Sequence, residues 1–353
     1  MINGNRLWER IHELGEIGKE TDGGITRFSF TKNHRLAKNV VAKYMEEAGL
    51  EVNEDHAGNL IGTKTGSEPQ APSVLIGSHI DTVKHGGKFD GALGVLAGIE
   101  VLQTMKEKGI EPKHSIEVIA FSDEEGGRFN FGMIGSRALT GKLSQHDLER
   151  KDQDGISIFD AIKNEGLDPT KIPGLKRDKQ SIKCYLELHV EQGKVLETNQ
   201  LPVGIVSGIA GPLWMKWNLV GESGHAGATP MYMRKDPLQV FAKIASKVDA
   251  LARSNPNTVA TIGKVNVKPG GVNIIPEEIE FTLDLRDIDE NARNLVEKEI
   301  ISYGEEICKK HQITMRTTTL QRIDPVLCSK EIQQLIEESC REHQINTMTL
   351  PSG

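Results

Sequence analysis

Three apolar runs of strand length, each closed by histidine or acid, constrain this chain more than any other feature. The first, Ser73 to Gly77, leads into Ser78-His79-Ile80-Asp81, with Asp90 in the glycine-rich turn behind it. The second, Ser115 to Ser122, ends in Asp123-Glu124-Glu125-Gly126-Gly127. The third, Ile182 to Leu188, ends in His189-Val190-Glu191-Gln192-Gly193. Between the first two, Gly91 to Lys108 alternates small and apolar residues, as a helix lying close on a sheet would, and Gly109 ends it. Strand, helix, strand in that order predicts a right-handed βαβ unit with a parallel sheet. Ligands of an open α/β sheet sit beyond the carboxyl ends of its strands. Three such ends would deliver His79, Asp90, Glu125 and His189 to one crevice, and imidazole with carboxylate is a ligand set for zinc or a similar divalent ion.

At 353 residues the chain has room for two domains and a sizeable core. A net charge of -7 and the absence of a basic stretch interleaved with aromatics argue against a nucleic-acid partner. No apolar run approaches a membrane span, and the charged N-terminal stretch is not a signal peptide. Cys184, Cys308, Cys328 and Cys340 show no C-x-x-C pairing and read as reduced thiols of a cytoplasmic protein, Cys184 inside a buried strand.

Helices are expected over 5–18 and over Thr31 to Ala48. Thr31 caps the second, Gly49 ends it, and Leu36, Val40, Val41 and Tyr44 form its apolar face. A strand pair precedes the first metal-bearing strand at 50–64. Residues 141–180 are polar and read as exposed connections around a short helix at 157–165. Beyond His189 the order is strand (213–220), helix (237–253), strand (259–267), strand (278–286), helix (290–311), strand (312–320). That β-α-β-β-α-β order fits a ferredoxin-like α+β insertion, and a last helix follows at 329–343. The fold class is therefore α/β: a mixed, largely parallel sheet with helices on both faces. It occupies 1–206 and 323–353, with the insertion at 207–322.

Each site residue has a structural reading beside the chemical one. In His79-x-Asp81 one residue can bind metal while the other orients the ring, although His-x-Asp also occurs in plain turns. Asp90 could bridge two metals about 3.5 Å apart or cap the following helix. Adjacent Glu124 and Glu125 repel unless a positive charge lies between or beside them. A metal resolves this if one glutamate binds it and the other serves as general base. The alternative is a solvated acidic turn.

The strings GSHIDTV, GGKFDGALGVLAG, DEEGGRF, FGMIGS, ELHVEQG, GHAGATPM, GGVNIIPE and LDLRD together resemble the hydantoinase/carbamoylase branch of the M20 amidohydrolase and peptidase family, over nearly the whole chain. N-carbamoyl-L-amino-acid hydrolases are most alike, allantoate amidohydrolases next. The resemblance implies two divalent metal ions per subunit (Zn, or Mn, Co or Ni). His79 and His189 would hold one, Asp90 would bridge both, and Glu125 would bind the second, with Asp81 behind His79 and Glu124 as general base. It implies that Gln192, His225, Asn273 and Arg286 contact a small ureido carboxylate, His225 polarising the scissile carbonyl and Arg286 meeting the carboxylate. It implies that the insertion is a lid and homodimerisation domain, His225 reaching the partner's active site. Relatives continue past Pro351-Ser352-Gly353 to a His-containing motif that completes the second metal site, so that site is expected to lack its last ligand here. Allantoate-cleaving relatives carry a basic residue near Gly208, where this chain has Ile209-Ala210-Gly211-Pro212-Leu213-Trp214. Leu213 and Trp214 suit an apolar substrate side chain and favour a carbamoyl amino acid. The alternatives are allantoate hydrolysis, a dipeptidase or aminoacylase, and an inactive metal-binding homologue.

Overall fold

The structure, a computed structural model, describes residues 2–353, which divide into two compact units, Met1–Gln192 and Gly193–Gly353. Among the described residues no helix is long and apolar enough to cross a membrane.

The first unit is built on strands β1 (Glu51–Glu54), β2 (Leu60–Lys64), β3 (Ser73–His79), β4 (Ile116–Phe121) and β5 (Ile182–Leu186). They lie in the order β1-β2-β4-β3-β5. β3 runs parallel to both β4 and β5, whereas β1 with β2 and β2 with β4 are antiparallel. The sheet is thus mixed in equal measure rather than largely parallel, because the hairpin at 51–64 joins the edge of β4. The three parallel strands are the ones that end in site residues. His79 lies opposite Phe121 and Ile76 opposite Leu186, so all three carboxyl ends open on one side.

Side-chain alternation along the strands supplies two apolar faces. Leu60, Val118 and Ala120 pack with α1 (Gly4–Gly15), α2 (Lys32–Glu47) and α3 (Ala92–Glu107). Ile61, Leu75 and Ile119 face the other way, against Leu139 of α4 (Ile134–Thr140). The small residues of α3 have the expected use: a Cβ on Gly94 would stand 2.9 Å from Ser78 Cβ, and one on Gly98 3.0 Å from Ile76 Cγ2. Helix α2 is capped by Thr31, whose hydroxyl accepts from the His34 amide, but its buried face is His34, Ala37, Val41, Tyr44 and Met45. Leu36 is exposed. Residues 141–180 hold the short helix Ile158–Asn164, yet they are not merely exposed connections. Leu148, Ile158, Ile162 and Ile172 form a further core with Phe30 and Phe129.

In the second unit the strands Val265–Lys268, Glu278–Asp287, Gly211–Val220 and Thr314–Arg322 form an antiparallel sheet in that order. The helices Pro237–Arg253 and Glu290–His311 share its core of Leu213, Met215, Trp217, Leu219, Phe281 and Leu285. The chain order is the expected strand-helix-strand-strand-helix-strand. The strand expected at 259–267 is broken: Thr261 lies opposite Asp284 and Val265 opposite Phe281, one residue more on the edge strand than on its neighbour. A bulge around Gly263 absorbs it. Leu213 is fully buried in this core and cannot touch a substrate; only Trp214, pointing the other way, is open. Val203–Ile209 pairs with Val326–Leu327 and Thr347–Ser352 in a separate sheet. Segment 323–353 thus takes backbone partners from residues 203–212, which straddle the expected start of the insertion.

Candidate metal centre

His79 is the last residue of β3 and is buried. Its Nδ1 lies 3.0 Å from the Asp81 backbone carbonyl. A carbonyl only accepts, so Nδ1 carries the proton and the Nε2 lone pair is left for the crevice. His189, three residues beyond β5, repeats the arrangement, with Nδ1 2.9 Å from the Val190 carbonyl. Asp90 stands between the two rings. Its Oδ1 is 3.2 Å from His189 Nε2 and 3.9 Å from His79 Nε2. The ligand atoms of His79, Asp90 and His189 all lie within 4.8 Å of one another.

Asp90 Oδ1 is buried and faces the Nε2 atoms of both rings, its nearest neighbour being His189; a buried carboxylate oxygen so placed calls for positive charge in front of it. Ligands about 2.0–2.2 Å from a tetrahedral ion stand roughly 3.3–3.6 Å apart, close to the separations found. Two imidazole nitrogens and a carboxylate oxygen converging on one point fit a divalent metal. The other oxygen of Asp90 accepts from Gln192 Nε2 at 2.9 Å, so Gln192, expected to contact substrate, steadies Asp90 here.

The carboxylate of Asp81 does not hold the His79 ring, as the sequence reading placed it; Oδ1 is 3.8 Å from Nδ1. It accepts instead from the backbone amides of Glu124 and Glu125, at 3.3 and 3.2 Å. Asp81 thereby ties the end of β3 to the turn after β4. Asp123 starts that turn at φ 48, in the sparsely populated left-handed region. Glu124 Oε2 comes within 3.6 Å of His79 Nε2. Glu125 falls outside the group of three.

The electrostatics are those of an acidic pocket. Burial pushes the Glu124 carboxyl above its ordinary range, with Asp81 and Glu187 adding to the rise and the two histidines opposing it. Burial, reinforced by Asp90, Glu124 and Asp81 against the pull of His79, pushes Glu125 up to about 7. The contact with Asp90 raises His189 to about 9 although burial works against it. Glu124, Glu125 and the two imidazoles hold their protons more tightly than usual, while the contact with His189 keeps the Asp90 carboxyl below its ordinary range; the crevice favours added positive charge.

Glu187 was missed. It accepts from Ser78 Oγ at 2.6 Å and from the Tyr185 hydroxyl at 2.7 Å, and its charge acts on both Glu124 and His189. The signal was present, because Tyr185, Glu187 and His189 alternate along the chain and alternate residues of an extended segment share a side.

In the second unit, His225 pairs with Ile274, and the Ala226 amide donates to the Asn273 carbonyl at 2.9 Å, which brings His225 and Asn273 together. Arg286 is elsewhere. It lies eight residues past Glu278 on one strand, about 26 Å at about 3.3 Å per residue, and forks onto Asp284 at 2.8–3.2 Å.

The model of peptidase family M20/M25/M40 matches residues 75–353. The chain belongs to this family. It is 54% identical over 329 residues to the N-carbamoyl-L-amino acid amidohydrolase of Geobacillus stearothermophilus, covering 93% of this chain and 80% of that protein. It is 50% identical over 302 residues to the N-carbamoyl-L-amino-acid amidohydrolase of Pseudomonas sp. (strain NS671), covering 84% and 73%. The allantoate deiminase of Arabidopsis thaliana is 36% identical over 327 residues, covering 86% and 62%. Among solved structures, a hydantoinase/carbamoylase family amidase from Burkholderia ambifaria matches with a TM-score of 0.90 at 32% identity, over 100% of this chain and 85% of that one.

Proposed function

We propose that this M20 enzyme hydrolyses the carbamoyl C–N bond of N-carbamoyl-L-amino acids, giving the L-amino acid, carbon dioxide and ammonia. The observation that carries this reading is the group of His79, Asp90 and His189 beside Glu124, in a chain 54% identical to an N-carbamoyl-L-amino acid amidohydrolase. His79, Asp90 and His189 would hold one divalent ion, and Glu125 with the bridging Asp90 would serve a second. Such ions polarise a carbonyl and lower the pKa of water. Glu124 is the general base: its raised pKa suits it to take a proton from water and return it to the leaving nitrogen. Gln192 holds Asp90 in place. His225 polarises the carbonyl, Asn273 holds the substrate, and Arg286 meets its carboxylate as a planar fork.

About 26 Å of strand separate Arg286 from Glu278, the end of that strand nearer in sequence to Asn273. That separation supports a homodimer in which one copy lends His225 and Asn273 and the other Arg286. The insertion at 207–322 is then lid and dimerisation domain in one. Four free cysteines suit a reducing, cytoplasmic compartment.

Ammonia release from N-carbamoyl-L-methionine and from allantoate, assayed in parallel on metal-loaded enzyme, tests the substrate. A higher kcat/KM on allantoate overturns it. Glu124→Gln should lower kcat by about 10²–10⁴-fold with unchanged metal content; near-normal turnover removes Glu124 from the role.

A further inference from the structure

Behind the candidate metal centre lies an arginine with no carboxylate partner. Arg27 is 1% exposed, and among the described residues no ion pair reaches it. Its Nε donates to the Ile80 carbonyl at 2.6 Å, and its Nη1 to the carbonyls of Leu14 and Ile17 at 3.0 and 2.9 Å. The neighbouring backbone is laced to the same place. The Arg27 amide donates to Thr82 Oγ1 at 2.9 Å, the Thr82 hydroxyl to the Ile25 carbonyl at 3.0 Å, and the Thr82 amide to the Arg27 carbonyl at 3.2 Å.

A buried cation satisfied only by peptide oxygens is expensive, and apolar packing would ordinarily be the more stable choice. Two features show what this one does. The carbonyl of Ile80 belongs to the Ile80–Asp81 peptide, part of the short backbone stretch between the buried His79 ring and the carboxylate that holds the Glu124 and Glu125 amides. The charge that Arg27 feels is that of Asp81. Burial lowers the guanidinium to about 10, so it stays charged at neutral pH.

We propose that Arg27 is a positioning residue for the metal crevice: from behind, it fixes the Ile80–Asp81 peptide just past His79 and balances the charge of Asp81. Arg27 touches neither ligand atom nor substrate; it acts through the backbone of the β3 exit. The role rests on reading His79, Asp90 and His189 as metal ligands.

The test compares Arg27→Met, Arg27→Lys and Thr82→Val with the wild-type full chain. Zn²⁺ or Mn²⁺ affinity is measured by calorimetry, the Co²⁺ absorption spectrum is recorded, and melting of the metal-free protein is followed. Arg27→Met should bind metal at least about 10-fold more weakly, the usual effect of losing support behind a ligand, with an altered Co²⁺ spectrum. Arg27→Lys, which keeps the charge, should recover part of that loss. Thr82→Val removes the lacing but spares the guanidinium, so it should lower the melting temperature and leave metal affinity unchanged. Should Arg27→Met fail to fold, Arg27→Lys against Thr82→Val decides, since only the lysine variant should weaken metal binding. Wild-type affinity in folded Arg27→Met, or equal weakening in Thr82→Val at matched stability, overturns the proposal. A wild-type chain that binds no divalent ion overturns the metal reading itself, a result distinct from either.

Discussion

Gly91 gives the sharpest test of the crevice geometry. It follows Asp90 and precedes α3, with φ 64 and ψ −51. A Cβ built there would stand 2.5 Å from His79 Cε1, 2.5 Å from Nε2 and 2.6 Å from Cδ2. Three nearly equal distances put the added methyl over the face of the ring. Carbon atoms in contact are about 3.5–4.0 Å apart, so in Gly91→Ala the ring or the turn must give way by about 1 Å. Metal–ligand distances tolerate only about 0.2 Å. The displacement therefore disengages His79 Nε2, and affinity for Zn²⁺ or Mn²⁺ should fall by at least about 100-fold, the upper end of what weaker disturbances around a ligand cost. The positive φ adds strain of about 1–3 kcal/mol. At about 2–4 °C per kcal/mol for a unit of this size, metal-free melting should drop by roughly 2–12 °C. Gly87→Ala is the control, because its Cβ would meet nothing within 4 Å. Competition with a chelator reads the affinity and calorimetry the melting. Gly91→Ala with wild-type metal affinity would refute the placement of His79 in the site, whatever its melting temperature.

Asp81→Asn keeps the shape but turns an NH2 group toward an amide that needs an acceptor. Metal affinity should fall by about 10- to 100-fold, and an unchanged value would show that the Glu124 and Glu125 amides need no carboxylate. Glu54 accepts from Arg35 and from buried Lys38, and these contacts hold its carboxyl below the ordinary range although burial opposes them. A depressed folded-state pKa gives stability that is present above the unfolded value of about 4.3 and is lost as pH falls through the folded value. Glu54→Gln should therefore cost on the order of 3 kcal/mol in urea unfolding at neutral pH, with the gap to wild type closing in acid; a pH-independent gap contradicts the sign. Arg286→Ala should raise KM for a carbamoyl amino acid about 10-fold or more with little change in kcat, since a charged hydrogen bond contributes about 1.5–3 kcal/mol. Asp284→Ala frees the fork and should not raise KM. Equal KM increases in both variants would mark Arg286 as a structural ion pair.

What could be read from the chain follows the range of the interactions involved. His79 and Asp90 lie at and beyond the end of β3 and His189 beyond that of β5, so local patterning brought these three to one place without knowledge of their contacts, although it also expected Glu125 there. The two small-residue positions of α3 were legible for the same reason, since close approach to a sheet excludes side chains along one stripe. Arg27 was not legible. Its partners are carbonyls of Leu14, Ile17 and Ile80, and no side-chain pattern encodes a backbone acceptor 53 residues away. Leu36 misled because hydrophobicity alone does not say which turn of an amphipathic helix meets the core; His34 and Lys38 are buried on α2 while Leu36 is not. The segment 141–180 misled because Leu148, Ile158, Ile162 and Ile172 are spread thinly among polar residues and acquire a common core with residues from elsewhere in the chain, among them Phe30, Ala57, Phe129 and Ile134.

The second unit carries this distinction one step further. His225, Asn273 and Arg286 came from motifs, and motifs carry no distance. The register does: Glu278 lies opposite Val220 at one end of the ladder and Arg286 opposite Pro212 near the other. A small ureido carboxylate spans a fraction of the roughly 26 Å between them. If all three residues serve one substrate molecule, the length of this strand favours their coming from two copies. On that reading the proposed homodimer would complete the substrate site. Mixing His225→Ala with Arg286→Ala protein should accordingly restore up to about a quarter of wild-type activity through random exchange of copies, since each mixed dimer regains one intact site. No recovery after verified subunit exchange would place the three residues in separate tasks.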